Sequence, residues 1–222
     1  QGPRSMDLLA ALIDGPFPEP WNYFDMAEVT MSGEPLIITR TGFSNELGWE
    51  FYLRPENSAE KIGEKIMDIG KKFEISLTGT PVFRARRIEA GLLSAGVDFD
   101  NSTTPFDAGL ENFVDMEKEN FIGKKALIKA RKQKIIWGLK VKGGIARKGL
   151  VLGKNGENIG NVTSCTWSPY LKCGVGIIRV KNIHFRPGME INVEGVDGKS
   201  HNAILSHTPM YDQDGLIVRG KD

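Results

Sequence analysis

The residue with the clearest capacity for chemistry is Glu50, which follows a turn rich in Gly, Ser and Asn. It lies in a segment, residues 47–54, where apolar residues alternate with other residue types, as in a half-buried strand. The alternation directs Trp49 to a core and Glu50 to the opposite face, between Gly48 and Tyr52. A carboxylate beside a glycine can accept hydrogen bonds from a flat ligand that approaches closely. Spacing alone favours the competing interpretation, a solvent-exposed carboxylate, because carboxylates are mostly exposed.

The composition is that of an ordinary globular protein, with 222 residues, 40% hydrophobic residues and a net charge of +1. This length allows one large domain or two small ones. The small net charge gives no global field for nucleic acid or an acidic membrane, and no apolar run approaches the ~20 residues of a membrane span. We therefore expect no nucleic-acid partner and no membrane partner.

The cysteines and histidines bear on metal binding and on the cellular compartment. Cys165 and Cys173 could pair, but free thiols in a reducing cytoplasm are the favoured interpretation. The three histidines, His184, His201 and His207, form no cluster with metal-ligand spacing, so the sequence predicts no metal site. No secretory signal is visible, and we expect a cytoplasmic protein.

The first half of the chain reads as helices alternating with strands. The pattern predicts a helix over residues 5–14 capped by Ser5, a second helix capped by Asn57 or Ser58, and a third from Pro81 to Glu89. Strands are predicted over residues 24–31, 35–41 and 47–54. This order indicates an α+β domain with a mainly antiparallel sheet.

Residues 121–134 are rich in lysine and arginine and read as a basic helix followed by a linker. A solvated helix face is favoured over a docking patch. From about residue 135, short apolar runs alternate with turns, including Asn155-Gly156 and Asp197-Gly198, which are strong hairpin signals. The sequence therefore predicts a small C-terminal β-barrel or jelly roll, with domains at 1–132 and 133–222.

Six short motifs, taken together and in order, resemble the glycine-cleavage T-protein (aminomethyltransferase) family. They are residues 1–3 (Gln-Gly-Pro), 40–50, 87–92 (Arg-Ile-Glu-Ala-Gly-Leu), 103–110, 121–127 and 160–171. The resemblance covers nearly the whole chain. The superfamily also includes dimethylsulfoniopropionate demethylases and the folate-binding parts of sarcosine and dimethylglycine dehydrogenases.

The resemblance implies that the cofactor is tetrahydrofolate, bound in a central cavity. Glu50 matches the glutamate that holds the pteridine ring, and Phe43 matches a pocket position usually held by Tyr. Arg147 matches a family arginine near the cofactor. The family's arginine for the glutamyl tail falls at Phe83, and Arg84 is the candidate substitute. Arg87 and Glu89 are expected to serve helix packing and ion pairing.

No catalytic residue is assigned, because the aspartate that the family places near the reacting folate nitrogen would lie upstream of Gln1. We therefore expect this chain to turn over little or nothing by itself. The resemblance implies transfer of an aminomethyl group from a lipoyl carrier protein to tetrahydrofolate. The alternatives are a folate-dependent demethylase acting on dimethylsulfoniopropionate or a methylamine, and a non-catalytic folate-binding protein.

Overall fold

The computed structural model describes residues 1–153, 156–181 and 184–221. The chain forms two compact units, which are described separately below. The first comprises residues 1–83 and the C-terminal segment from Asp214, and the second comprises residues 84–213. Within the described residues, no helix combines the length and apolar character that crossing a bilayer requires.

The first unit packs two helices against one face of a small antiparallel sheet. Its elements are α1 (Ser5–Leu12), β1 (Met26–Met31), β2 (Glu34–Thr39), β3 (Glu50–Tyr52) and α2 (Ala59–Gly70). The sheet order is β1-β2-β3. Alternation along β1 and β2 turns Met31, Leu36 and Ile38 into a core with Leu12 of α1 and Ile62 of α2.

The strand predicted over residues 47–54 forms only at Glu50–Tyr52. The preceding backbone bonds to the N-terminal segment instead of to a strand. The carbonyl oxygen of Leu47 accepts from the amide nitrogen of Gly2 at 2.8 Å and from Ser5 Oγ at 2.9 Å. The predicted role of Ser5 as a helix cap is wrong for this reason, whereas Ser58 does cap α2 by accepting from the amide of Lys61.

The helix α3 (Thr80–Glu89) leads into the second unit, where α4 (Pro105–Ala108) begins at a capping box formed by Thr104 and Asp107. Within residues 121–134, read from the sequence as a basic helix followed by a linker, the helix is α5 (Lys124–Lys129). It is bounded by Gly123, whose φ of 92° is left-handed, and by Ala130, which is extended.

A six-stranded antiparallel sheet that nearly closes into a barrel dominates the second unit. Its strands are β4 (Ile136–Val141), β5 (Gly149–Leu152), β6 (Asn158–Ser168), β7 (Cys173–Val180), β8 (Glu190–Glu194) and β9 (Ser200–Ser206), in the order β5-β6-β7-β4-β9-β8. An antiparallel bridge between Ala146 and Gly195 brings the two edges together. The prediction of an α+β chain with a small C-terminal barrel is confirmed.

The two predicted hairpin turns have different outcomes. At residues 195–199, the amide of Gly195 donates to the carbonyl of Lys199 at 2.7 Å, and Gly198 takes a left-handed φ of 73°. In the other turn, Lys154 and Asn155 lie outside the described residues. Cys165 and Cys173 are both free, as the sequence predicted.

Candidate functional site

Glu50 begins β3 and is partly buried. Its Oε2 atom accepts a hydrogen bond from the hydroxyl of Thr41. Within the described part of the chain, no donor reaches its Oε1 atom and no cation pairs with the carboxylate. One oxygen of Glu50 is thus fixed by the protein, while the other is available to accept hydrogen bonds.

Thr41 belongs to a short chain of hydroxyl groups. Its Oγ1 atom lies 2.5 Å from Oγ1 of Thr39. Thr39 is also the residue that faces Glu50 in the register of β2 and β3. The pairing of these two strands therefore places Thr39 opposite Glu50, and Thr41, two residues beyond Thr39, reaches the carboxylate through its hydroxyl.

Gln1 occupies the space beside Gly42 and Gly48. A Cβ atom at either glycine would come within 3.0 Å of the Gln1 carboxamide. The carboxamide accepts from Ser44 Oγ at 2.8 Å and donates to the carbonyl of Trp49 at 3.3 Å. The space beside Gly48, which the sequence suggested for a ligand, is thus occupied in this structure by the Gln1 carboxamide.

Tyr23 lies within electrostatic range of Glu50 and of Arg219, and sequence reasoning missed both Tyr23 and Arg219. Burial raises the pKa of Tyr23 above its usual value, Arg219 lowers it, and Glu50 raises it. Arg219 belongs to the last helical turn, Ile217–Arg219, and it is far from Glu50 in sequence, so no local pattern could have indicated it.

Arg40, the first residue of the motif that carries Glu50, is buried and holds the chain around the site. Its guanidinium donates to the carbonyl oxygen of Trp21 at 2.5 Å and to that of Arg219 at 2.8 Å. It therefore ties the segment before β1 to the C-terminal turn. A depression of about 770 Å³ is lined by Trp21, Asn22 and Arg40, and Glu50 is not part of its lining.

Phe43 stands in the loop between Thr41 and Glu50 with its side chain 45% exposed. An exposed aromatic ring at this position offers a flat apolar surface to a ligand or a partner. The same loop contains Asn45, whose φ of 55° is left-handed, a conformation that asparagine adopts more readily than most residues.

The two arginines that the sequence proposed for the cofactor belong to the second unit. Arg147 pairs with Glu194, Nη1 to Oε1 at 2.7 Å, and its amide donates to the carbonyl of the same residue at 2.7 Å. Arg84 is exposed on α3; burial raises the pKa of Cys165, and Lys148 and Arg84 lower it. The structure thus gives Arg147 a role at the seam of the barrel.

Among its described residues, the second unit has two buried ion pairs. Glu89, whose residue exposure is 0%, pairs with Arg86 and accepts from the hydroxyl of Ser168. The Arg86 guanidinium also lies over the ring of Tyr170 at 4.3 Å and that of Tyr211 at 5.0 Å. This arrangement anchors α3 to the barrel.

The second buried pair joins Arg87 to Asp98 at 2.8 Å, and Ser164 bridges the two side chains. Asp98 also accepts from Thr163 and from the amide of Ser94, so its carboxylate is fully surrounded by donors. The expectation of ion pairing for Arg87 and Glu89 is confirmed, while Asp98 carried no signal in the sequence.

Comparison with known proteins places these features in a family. Residues 1–118 match the model of the GCVT N-terminal domain, and residues 134–212 match that of the glycine cleavage T-protein C-terminal barrel domain. A probable aminomethyltransferase from Thermococcus gammatolerans is 35% identical, over 96% of this chain and 59% of that protein. An aminomethyltransferase from Thermoanaerobacter sp. is 32% identical, over 95% of this chain and 58% of its own length.

A solved structure shows the same fold. The crystal structure of glycine cleavage system aminomethyltransferase T from Bartonella henselae superposes with a TM-score of 0.82 and 28% identity, covering 96% of this chain and 58% of that one. This chain therefore spans less than two thirds of the length of the relatives it matches. Because a family model matches more than half of its residues, the chain belongs to the glycine cleavage T-protein family.

Proposed function

We propose that this protein binds tetrahydrofolate and supports the transfer of an aminomethyl-derived one-carbon unit to it. The observation that carries the proposal is the state of the Glu50 carboxylate, with Oε2 fixed by Thr41 and Oε1 available. The names of the relatives, which are aminomethyltransferases, favour this reaction over a demethylation.

The chemistry of Glu50 fits the edge of a reduced pterin. That edge presents an exocyclic amine and a ring N–H as two parallel donors, and one carboxylate can accept both. The Oε2 atom keeps a lone pair after it has accepted from Thr41, so both oxygens remain usable. The exposed ring of Phe43 offers an apolar contact to the same ligand, without the hydrogen bond that a tyrosine hydroxyl would supply.

Arg84 is proposed for the anionic tail of the cofactor, and Arg147 is proposed to lie near the cofactor. Both are exposed and positively charged, as recognition of a carboxylate tail requires. Arg147 would have to exchange its pairing with Glu194 for the ligand, which costs little because both side chains are solvated. We also propose that residues 1–132 form the folate-binding domain and residues 133–222 the barrel domain.

When bound, tetrahydrofolate supplies the nitrogen atoms that accept the one-carbon unit. The contribution of this chain is to bind and orient the cofactor, because fixing the reacting group removes much of the entropic cost of the reaction. Glu50 sets the direction of the pterin head, and Phe43 covers part of it. The proposed donor is an aminomethyl group on the lipoyl arm of a carrier protein, and the products are methylenetetrahydrofolate, ammonia and the carrier with its dihydrolipoyl sulfur released as a thiol.

Two measurements on the purified protein test this proposal. Calorimetric titration with tetrahydrofolate should show binding that Glu50→Gln weakens, and an unaltered affinity in the variant would contradict the cofactor site. Because we expect this chain to turn over little or nothing by itself, transfer should then be compared in single-turnover reactions with excess protein, among three donors: the aminomethylated carrier, dimethylsulfoniopropionate and dimethylglycine. Faster product formation from the carrier supports the proposal, and faster formation from either small donor favours a demethylase.

A further inference from the structure

We propose that Thr41 is a positioning residue, which fixes the Glu50 carboxylate so that it discriminates between flat rings by the number of donors they present. The inference deepens the proposed function and rests on it, since it assigns a task to a residue that does not itself need to touch the cofactor.

The direction of the hydroxyl chain follows from counting hydrogens. Thr41 has a single hydroxyl hydrogen, which it donates to Oε2 of Glu50. The 2.5 Å contact between the hydroxyl groups of Thr39 and Thr41 therefore has Thr39 as its donor. The chain runs from Thr39 to Thr41 to Glu50, and each member orients the next.

The backbone around these groups is fixed as well. Glu50 faces Thr39 in the β2–β3 register, so their separation is set by the sheet. The Gln1 carboxamide donates to the carbonyl of Thr41 at 3.4 Å and to that of Trp49 at 3.3 Å. One side chain thus contacts the backbone of both the hydroxyl donor and the residue before Glu50.

A glutamate side chain at a partly exposed position ordinarily samples several rotamers, and ordering it on binding costs affinity. The bond from Thr41 removes part of this freedom before the ligand arrives. A carboxylate held in one plane can accept two parallel donors at once, whereas a rotating carboxylate gains less from the second donor. The contribution of Thr41 to binding affinity should therefore be largest for ligands that present both donors.

The test uses Thr41→Val, which keeps the shape of the side chain but removes the donor, and Thr41→Ser, which keeps the donor. Dissociation constants are measured for tetrahydrofolate and for its analogue without the exocyclic amine. In Thr41→Val, tetrahydrofolate should bind about tenfold more weakly and the analogue should change less, so that the preference between them falls. Thr41→Ser should restore the preference.

If Thr41 had only a structural role, Thr41→Val would weaken the binding of both ligands equally. An unchanged preference for tetrahydrofolate over the analogue in folded Thr41→Val would therefore overturn the inference. If Thr41→Val does not fold, Thr39→Val is measured instead. Its preference for tetrahydrofolate over the analogue should fall about threefold, and an unchanged preference would again overturn the inference. The Glu50→Gln variant distinguishes a failure of the proposed function from a failure of this inference alone. If it leaves binding unaltered, the proposed function fails; if it weakens binding while the threonine variants keep the preference, only this inference fails.

Discussion

The carboxamide of Gln1 lies against the α-carbon of Gly48, in the volume that any side chain at position 48 would need. The contact joins the N-terminal Gln-Gly-Pro motif to the segment that carries Glu50. A side chain at position 48 would therefore have to displace the Gln1 carboxamide, although the backbone of Gly48 is not left-handed.

We predict that Gly48→Ala lowers the free energy of unfolding by about 1–3 kcal/mol, because the new methyl group displaces the Gln1 carboxamide from Ser44 and from the carbonyl of Trp49. Chemical denaturation monitored by circular dichroism measures this. The matched control is Gly63→Ala in α2, where a Cβ meets nothing within 4 Å.

Gly63→Ala should be stabilising by up to about 1 kcal/mol, since alanine is the better helix former. Equal stability of the Gly48→Ala variant and the parent protein would mean that the space at Gly48 is open.

The Glu89→Ala variant should lose about 3–5 kcal/mol of stability, because it leaves the buried guanidinium of Arg86 without its carboxylate. Thermal and denaturant unfolding of the variant and the parent measure the loss.

A carboxylate of the same unit supplies the control. Glu194 pairs with Arg147 at the surface, with side-chain exposures of 66% for the arginine and 56% for the glutamate. Glu194→Ala should change stability by less than about 1 kcal/mol. Similar losses in the two variants would contradict the assignment of Glu89 to a buried anchor.

The phenol of Tyr23 reports on the charge of Glu50 without any ligand. Burial and the Glu50 carboxylate raise the pKa of Tyr23, and Arg219 opposes them. Glu50→Gln should therefore lower the pKa of Tyr23, and Arg219→Gln should raise it. Ultraviolet titration, with Tyr23→Phe subtracted to isolate this phenol from the other three tyrosines, measures both shifts.

The same shift has a consequence for stability. Since the folded-state pKa of Tyr23 is raised, its stabilising contribution is complete below the unfolded value of about 10 and is lost as pH rises through the folded-state pKa. Alkaline destabilisation should thus be steeper in the parent protein than in Tyr23→Phe. Identical pH profiles would place Tyr23 in an unperturbed environment.

Trp49 packs its ring 4.7 Å from that of Trp21 and is 7% exposed. Trp49→Ala should cost about 3–5 kcal/mol through loss of buried apolar surface. Trp167, which is 42% exposed, provides the comparison, and Trp167→Ala should cost clearly less in the same unfolding assay. A reversed order would contradict the assignment of Trp49 to the core.

Local sequence signals predicted much of this fold. Short apolar runs separated by turns located strands such as β6 and β7, and the Asp-Gly pair located the turn before β9, because both features depend on neighbours in the chain. The prediction that Trp49 faces a core also holds, even though the strand around it is shorter than expected.

The features that the sequence did not predict depend on contacts between residues far apart in the chain. Nothing near Leu47 in the sequence reveals that its carbonyl bonds to Gly2 and Ser5, which is why β3 is short. For the same reason, the sequence did not predict the hydrogen bond from Thr41 to Glu50 or the proximity of Arg219 to Tyr23.

The most direct test of the assignment of Glu50 to the cofactor is the dissociation constant of tetrahydrofolate for Glu50→Ala and for the parent protein. Glu60→Ala, which removes an exposed carboxylate of α2, is the control. We expect Glu50→Ala to weaken tetrahydrofolate binding by about 2–4 kcal/mol, because the pterin donors lose their charged partner. Glu60→Ala should leave the affinity for tetrahydrofolate unaltered. Equal affinity of all three proteins for tetrahydrofolate would contradict the assignment of Glu50 to the cofactor.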